Sequence, residues 1–447
     1  MKIMSTLSPL PYKGTRDWYP EDKRIQNYIF ATWRRVAERY GYQEYGAPML
    51  EPLEVYTAKS GQELASEQTY SFVDRGDRVV AIRPEMTPTI SRMVAARRQE
   101  LGYPARLYSI ANFMRYERPQ RGREREFWQL NADIFGVEGP AADAEIIGLA
   151  YETMKAFGAT DEMFEIRINN RKLIDVMMAS YLGLDPVGAQ MMVKLFDRRN
   201  KITPEEFAQQ ATDIFGEGVG EGLAKITQLV AVKSVVELPK ELLESTAAAE
   251  VGELTTMLED AGVKNVRFDV TLMRGLDYYT GTVFEAFDLH PDNNRAMFGG
   301  GRYDGLVGLF GAEPIPTVGM APGLSTTELF LRSHDLLPEL QPTTTIGIVV
   351  VDDSLDGALA LARQFREEGV NVEVDISGRK IDKQIKAVLK KQIPFIVFVG
   401  ANELKEELYN FKDTATTDEE KLSLARIVSR VKDYRRRAVD LDNHLFD

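Results

Sequence analysis

The 447-residue chain carries 55 Lys and Arg against 68 Asp and Glu, a formal net charge of -13, which argues against nonspecific nucleic-acid binding by the whole surface and leaves room only for a local basic face. Hydrophobic content of 44% and charged content of 28% are those of a soluble globular protein long enough for about two or three domains, each with its own core. Zero cysteines exclude disulfides and thiolate metal sites, and three histidines spread along the chain (His290, His334 and His444) speak against a histidine metal centre or a Ser-His-Asp triad.

The opening stretch, MKIMSTLSPLPYKGTRD, lacks the apolar core of a secretion signal, and no apolar run reaches the length of a membrane span. A cytoplasmic protein with no membrane partner is expected. Asp22 to Tyr40 sets Ile25, Ile29, Trp33, Val36 and Tyr40 at helical spacing before Gly41, which predicts an amphipathic helix with a stop signal. Residues 41–52, with Pro48 and Pro52, read as an extended segment at a sheet margin. Val79 to Ile82 reads as a short strand running into the turn Arg83-Pro84-Glu85-Met86-Thr87-Pro88, and Thr89 to Leu101 as a helix. Glu85 then either complements a helix N-terminus or faces a ligand.

Arg106 to Arg115 and Phe127 to Gly136 read as strands joined by a charged loop, with five arginines between Arg115 and Arg125. Without an anion nearby these would repel one another, although acids in and beside the loop partly answer them. In the second strand Phe127, Gln129, Asn131 and Asp133 share one face, while Trp128, Leu130 and Ile134 serve the other. A polar face rising from an arginine loop suits a ligand better than a core. Asp143 to Phe157 is a further amphipathic helix and Phe164 to Asn169 an alternating strand. Residues 172–262 turn helical, rich in methionine and alanine, until strand patterning resumes at Val266, which predicts an insertion between two strands of one sheet.

Leu272 to Phe287, LMRGLDYYTGTVFEAF, puts Arg274, Asp277, Tyr278 and Tyr279 at the mouth of an apolar, β-prone run. Thr280-Gly281 reads as a turn that folds Val283 to Phe287 back on Phe268 to Leu272 as a hairpin. A guanidinium and two phenols in a buried strand pair need partners. The next stretch is FGGGRYDGL, from Phe298. Its three glycines read as backbone at positive φ or pressed against a ligand, and Arg302 with Asp304 as a structural pair. Beyond a proline-bounded linker, residues 336–342, strands at Ile346 to Val351, Val370 to Val374 and Pro394 to Val399 alternate with helices at Asp356 to Glu368 and Arg379 to Gln392. With a last helix from Asp418 to about Arg435, this predicts a small parallel-sheet α/β domain.

RGLDYYTG and GGGRYDGL, in this order, resemble the paired signature motifs of histidyl-tRNA synthetases, class II aminoacyl-tRNA synthetases, here of bacterial type. The resemblance implies an α+β catalytic core, an antiparallel sheet with flanking helices, in residues 1–171 and 263–335. It makes residues 172–262 a helical insertion domain that reaches towards the tRNA acceptor stem, and residues 343–447 a C-terminal α/β anticodon-binding domain. The first helix and the Pro48 segment resemble the motif that builds a homodimer. Phe113, Arg115 and Glu117 match the F-x-R-x-E opening of the second class motif, and Phe127 its closing phenylalanine. Lys383, Lys386 and Lys390 lie along one terminal-domain helix, where a solvated stripe and a tRNA contact both stay open.

The resemblance further implies a histidine–tRNA ligase with histidine, ATP and tRNA(His) as partners, ATP being a substrate. Its first step joins histidine to ATP as histidyl-adenylate with release of pyrophosphate; its second passes the histidyl group to the 3′ end of the tRNA. On the matching positions Glu85, Thr87 and Gln129 meet the amino acid on its ammonium side, Met86 is a further histidine-binding position, and Asp133, Tyr278 and Tyr279 form the side-chain pocket. Arg115 and Arg274 are the catalytic pair on the α-phosphate and also touch histidine. Arg115, Glu117, Arg123 and Phe127 hold ATP, with Mg2+ expected on its phosphates and no protein metal ligand. Many bacterial members carry Glu where Asp133 stands, so the shorter acid asks for a shifted ring or a water. In Val318-Gly-Met-Ala-Pro-Gly-Leu-Ser-Thr326, Thr326 stands where the third class motif has an arginine, so that either Arg332 or an arginine of the second motif takes the role or ATP is held less well. That departure supports one alternative, a non-catalytic synthetase-like regulatory subunit of ATP phosphoribosyltransferase. The intact signature motifs and the C-terminal domain oppose it.

Overall fold

The computed structural model describes residues 7–58, 67–199, 202–216, 219–273, 278–293 and 296–443. The chain divides into two compact units, residues 1–19 with 26–337 and residues 20–25 with 338–447. Among the described residues no helix is long and apolar enough to cross a membrane.

Strands of the first unit are β1 (Gln43–Glu44), β2 (Leu50–Pro52), β3 (Ser71–Val73), β4 (Val79–Ile82), β5 (Ala105–Met114), β6 (Glu126–Phe135), β7 (Phe164–Asn170), β8 (Val266–Phe268), β9 (Thr282–Asp288), β10 (Ala296–Arg302) and β11 (Thr317–Met320). Eight of them form one sheet in the order β1-β5-β6-β11-β10-β9-β7-β8, and β2-β4-β3 a smaller one. The large sheet is antiparallel from β5 to β7, with parallel pairs at its two edges. β5 and β6 pair without interruption from Ala105 opposite Phe135 to Met114 opposite Glu126, so the polar face of β6 is fixed along its length.

Helix Pro20–Arg39 buries Ile29, Trp33 and Val36, and its Phe30 ring lies 5.3 Å from Trp128 on the outer face of β6. The other face is covered at one end by helix Thr87–Ala96, whose Ile90 and Val94 pack on Ala105, Phe135, Val307 and Ile315. That helix starts at Thr87, earlier than its apolar spacing suggests, because Pro88 fits a first turn. Between β7 and β8, which are parallel neighbours, run helices Arg171–Val176, Pro186–Arg198, Pro204–Phe215, Val219–Ala231, Lys240–Leu243 and Thr246–Asp260. Asp185, Thr203 and Ser245 cap three of them by accepting backbone N–H bonds.

In this unit the structure corrects two expectations. β9 does not fold back on the segment before it: β7 lies between β8 and β9, parallel to the first and antiparallel to the second. A Thr-Gly signal marks close backbone approach as readily as a turn, and a Cβ at Gly281 would stand 3.0 Å from the Arg302 side chain. The glycine triplet is likewise not at positive φ; Gly299, Gly300 and Gly301 are extended members of β10.

The second unit holds β12 (Ile346–Val350), β13 (Val372–Val374), β14 (Phe395–Val399), β15 (Tyr409–Asp413) and β16 (Glu419–Leu422), ordered β13-β12-β14-β15-β16. Only the first three run parallel; β15 and β16 add antiparallel pairs, so the predicted parallel sheet is in fact mixed. Residues assigned from sequence to the start of the last helix form β16 instead, and the helix begins at Leu424. Glu419, Glu420 and Lys421 favour a helix by propensity, yet their pairing with β15 prevails. Ile346, Ile348, Phe365, Val397 and Ile427 centre the core.

Candidate active site

Arg83 fixes the turn at the end of β4. Its guanidinium is buried and donates to the carbonyls of Ala47 and Asn112, each at 2.9 Å. This sets Glu85 inside the protein beside the start of helix Thr87–Ala96. There Tyr278 donates its hydroxyl to Glu85 Oε2 at 3.0 Å and also hydrogen-bonds the Thr87 side chain. Burial pushes the Tyr278 and Tyr279 hydroxyls above the ordinary tyrosine range, so both remain protonated donors. The two rings meet edge to face at 5.2 Å, and Tyr278 meets Tyr303 the same way at 5.8 Å. Met86 is buried with Ala111 and Phe113, so its side chain serves packing.

One rung crosses the centre of the sheet: Val283 of β9, Gly301 of β10, Gly319 of β11, Asp133 of β6 and Leu107 of β5 are successive partners. Members of a rung point to the same face. The Tyr279 ring covers Gly301, where an added Cβ would stand 2.9 Å from it, and the Asp133 carboxylate leans over Gly319, where an added Cβ would collide with Oδ1. Tyr303, at the end of β10, donates a short hydrogen bond to Asp133 Oδ1. No other hydrogen bond reaches that carboxylate among the described residues. Burial pushes its pKa up to about 7, against the opposing pull of the Tyr303 hydroxyl. A buried carboxylate with so few donors is incomplete until a ligand N–H arrives.

Towards the arginine loop, Arg115 Nε donates to the Pro84 carbonyl at 2.9 Å, and its guanidinium lies 5.2 Å from the centre of the Phe127 ring. Its two terminal nitrogens have no partner among the described residues, leaving a fork of donors above the polar face. Glu117 and Arg123 are paired with each other at 3.2 Å. Arg125 plays a structural part: its backbone N–H donates to Gly14 O at 2.7 Å and its side chain to the Tyr12 hydroxyl at 3.0 Å. At the third-motif position, Thr326 donates to the carbonyl of Met297 at 2.9 Å, and the Ser325 hydroxyl to Glu124 of the loop at 2.8 Å. Arg332 is engaged with Glu328 at 2.8 Å, an acid that also takes Arg16 at 3.0 Å.

Of the residues singled out from sequence, Glu85, Thr87 and Tyr278 meet directly, Asp133 and Tyr279 stand side by side on the glycine rung, and Gln129 lies two residues from Phe127 on the β6 face. Arg274 and Asp277 lie outside the described residues. The expected pair of Arg302 with Asp304 is present at 3.3 Å, and a closer one to Asp143, at 2.7 Å, clamps the same guanidinium to helix Pro140–Lys155. Sequence reasoning missed Tyr303 and Gly319. Tyr303 stands inside the quoted GGGRYDGL, but its partner is 170 residues away and nothing local announces it.

A family model described as histidyl-tRNA synthetase matches residues 14–326, and one described as an anticodon-binding domain matches residues 345–434. The histidine–tRNA ligase of Leptospira biflexa serovar Patoc is 40% identical over 426 residues, covering 94% of this chain and 97% of its own. That of Haloarcula marismortui is 36% identical over 405 residues, covering 90% and 92%. The crystal structure of histidyl-tRNA synthetase from Nostoc sp. PCC 7120 superposes with a TM-score of 0.81 over 96% of this chain and 100% of that one; at 24% identity this shows the shared fold. Matched along nearly its whole length by sequence as well as by fold, the chain belongs to the histidyl-tRNA synthetase family.

Proposed function

We infer that the protein is a histidine–tRNA ligase, which activates histidine with ATP and transfers it to the 3′ end of tRNA(His). The observation that carries the reading is the meeting of Glu85 and Tyr278 with the Asp133–Tyr279 rung below the open fork of Arg115. The first step is displacement at phosphorus. Its nucleophile, the histidine carboxylate, is ionised at neutral pH, so the site supplies placement and charge neutralisation and no general base. In this reading Glu85, with Thr87, Gln129 and the backbone around Met86, holds the ammonium, and Asp133 and the two tyrosines take the imidazole. Arg115 and Arg274 neutralise the α-phosphate, Arg274 being assigned by its place in RGLDYYTG. Phe127 offers its ring to adenine, while Glu117 and Arg123 part from each other to meet the adenine amino group and the distal phosphates. Arg123 is the exposed member of that pair, so its side chain is free to swing away.

Magnesium enters with the phosphates as part of the ATP substrate. Among the described residues no three acids or histidines converge on a metal site of the protein's own. Residues 1–171 with 263–335 act as the catalytic domain, 172–262 as an insertion domain, 336–342 as a linker and 343–447 as the anticodon reader. Helices placed between the paired strands β7 and β8 support the insertion boundary. A homodimer in the cytoplasm completes the proposal. Exposed Leu50, Phe72, Val73 and Val79 on the β2-β4-β3 sheet support the dimer, and a cysteine-free chain fits a reducing compartment.

The alternative of a non-catalytic regulatory subunit is the weaker one, since Arg115, Glu117 and the match to an anticodon-binding domain are all retained. Histidine-dependent ATP–pyrophosphate exchange separates the two. Exchange with histidine and not with other amino acids is the expected result, and no exchange with any amino acid would refute the ligase.

A further inference from the structure

We propose that Tyr303 and Gly319 set the histidine selectivity of this pocket by fixing the Asp133 carboxylate: Gly319 leaves the space it leans into, and Tyr303 holds Oδ1, so that Oδ2, which has no donor among the described residues, is left for a ring N–H of the substrate. Tyr303 is thus a positioning residue, acting through Asp133. This rests on the ligase reading.

Three observations support it. Tyr303 is buried, and its hydroxyl reaches Asp133 as the only donor to that carboxylate among the described residues. Gly319 is the cross-strand partner of Asp133, and a methyl group there would fall on Oδ1. Tyr303 is itself held, by its backbone N–H donating to Thr317 O at 2.7 Å and by its ring against Tyr278. A carboxylate held at one oxygen is fixed in orientation and leaves its other oxygen open as an acceptor. It accepts from an imidazole N–H and leaves a side chain without a donor unpaired, which is how polar pockets discriminate strongly.

The charge of Asp133 is part of the device. Tyr42 and Tyr45 from the segment flanking β1, Tyr279 from the residues before β9, and Tyr303 surround it. Burial raises all four hydroxyls, so none loses its proton near neutrality. Arg83 lies beyond Tyr45, and Glu85 one ring further, behind Tyr278. Asp133 therefore titrates among neutral neighbours, and the Tyr303 hydroxyl is what favours its ionised form.

The test starts with histidine-dependent exchange by the full-length wild-type protein; its absence overturns the ligase reading and this one together. With exchange present, Tyr303→Phe is expected to raise the histidine KM about tenfold, hold the ATP KM within about twofold, and move the acid limb of kcat/KM for histidine upward by about one pH unit. The free substrate contributes the same ionisation to both profiles, so the displacement reports the protein. Measured as histidine affinity by calorimetry, Tyr303→Phe is expected to add little in an Asp133→Asn background. An unmoved acid limb, equal rises in both KM values, or full additivity overturns this inference alone. Gly319→Ala provides a second arm: weakened histidine with unchanged ATP supports the proposal, and an unchanged histidine KM overturns it even if Tyr303→Phe fails to fold.

Discussion

The hydroxyl of Tyr278 reaches Glu85 at 3.0 Å across 193 residues of sequence, joining the turn after β4 to the start of the β9 segment. Both residues are buried, so losing this bond leaves a polar group in a poorly solvated place. Tyr278→Phe is expected to raise the histidine KM about tenfold in pyrophosphate exchange. Glu85→Gln, which removes the charge proposed to face the ammonium, should cost on the order of a hundredfold in kcat/KM for histidine. Unchanged kinetics in both variants would remove Glu85 from the site.

Burial raises the Asp133 carboxyl to about 7 from an ordinary value of 3.8. Between those values the folded protein holds a proton that the unfolded chain releases, so stability falls as pH rises through that window and levels off above it. Asp133→Asn carries no such penalty. It is expected to exceed the wild type by about 2–4 kcal/mol at pH 8, with the gap closing towards pH 4. Melting curves at both pH values check the sign, and a gap that widens on acidification would contradict it.

Arg302 is tied by Asp143 at 2.7 Å and by the carbonyls of Val137 and Gly139 at 3.0 and 2.7 Å, and both charged side chains are buried. Removing one member leaves the other charge buried. Arg302→Leu should therefore destabilise by about 3–5 kcal/mol, seen as a fall in Tm of roughly 6–15 °C. A change of less than about 1 kcal/mol would mean that the pair is hydrated or readily replaced.

If residues 343–447 read the anticodon, a chain ending at Pro342 should keep histidine-dependent exchange within about threefold while losing about a hundredfold or more in kcat/KM for tRNA charging, since tRNA affinity sums contacts over several surfaces. All the residues proposed for histidine and ATP precede that point. Equal loss of both reactions in a truncation that still melts cooperatively, or preserved charging, would count against the assignment.

Phe72 and Val73 are 47% and 62% exposed on a sheet that turns apolar side chains outward. A double change to Asp at these positions is expected to convert a dimer to a monomer in sedimentation. A wild-type protein that sediments as a 50.4 kDa species at micromolar concentration would instead refute the dimer.

Much of this was legible in the residues. The alternation of Phe127, Gln129, Asn131 and Asp133 marked the ligand face of β6, because a strand has period two whatever it pairs with. Partner choice was not legible: Thr280-Gly281 suggested a local hairpin, whereas β9 pairs with β7, laid down before the helical stretch. Arg302 showed the same limit, since its nearest acid in sequence, Asp304, is the weaker partner and Asp143 lies 159 residues away. Glu419 to Leu422 misled through propensity, where an edge pairing decided the outcome. Arg332 looked available to replace the missing third-motif arginine until Glu328 appeared one helical turn away on the same face.

The paired glycines of the central rung bear on how such a pocket could ever be altered. Gly301 and Gly319 have no room for even a methyl group, the first against Tyr279 and Thr282 O at 2.9 and 2.7 Å, the second against the Asp133 carboxylate and, at 3.0 Å, Ala132 O. Depth at this spot is thus an all-or-none property of bare backbone that substitution cannot tune in steps. Engineering towards another amino acid, or drift during divergence, would have to proceed through the standing side chains, Asp133, Tyr278, Tyr279 and Tyr303. Libraries that hold the two glycines constant and randomise those four positions should retain a pocket of the same depth, whereas libraries that vary the glycines should lose histidine binding first.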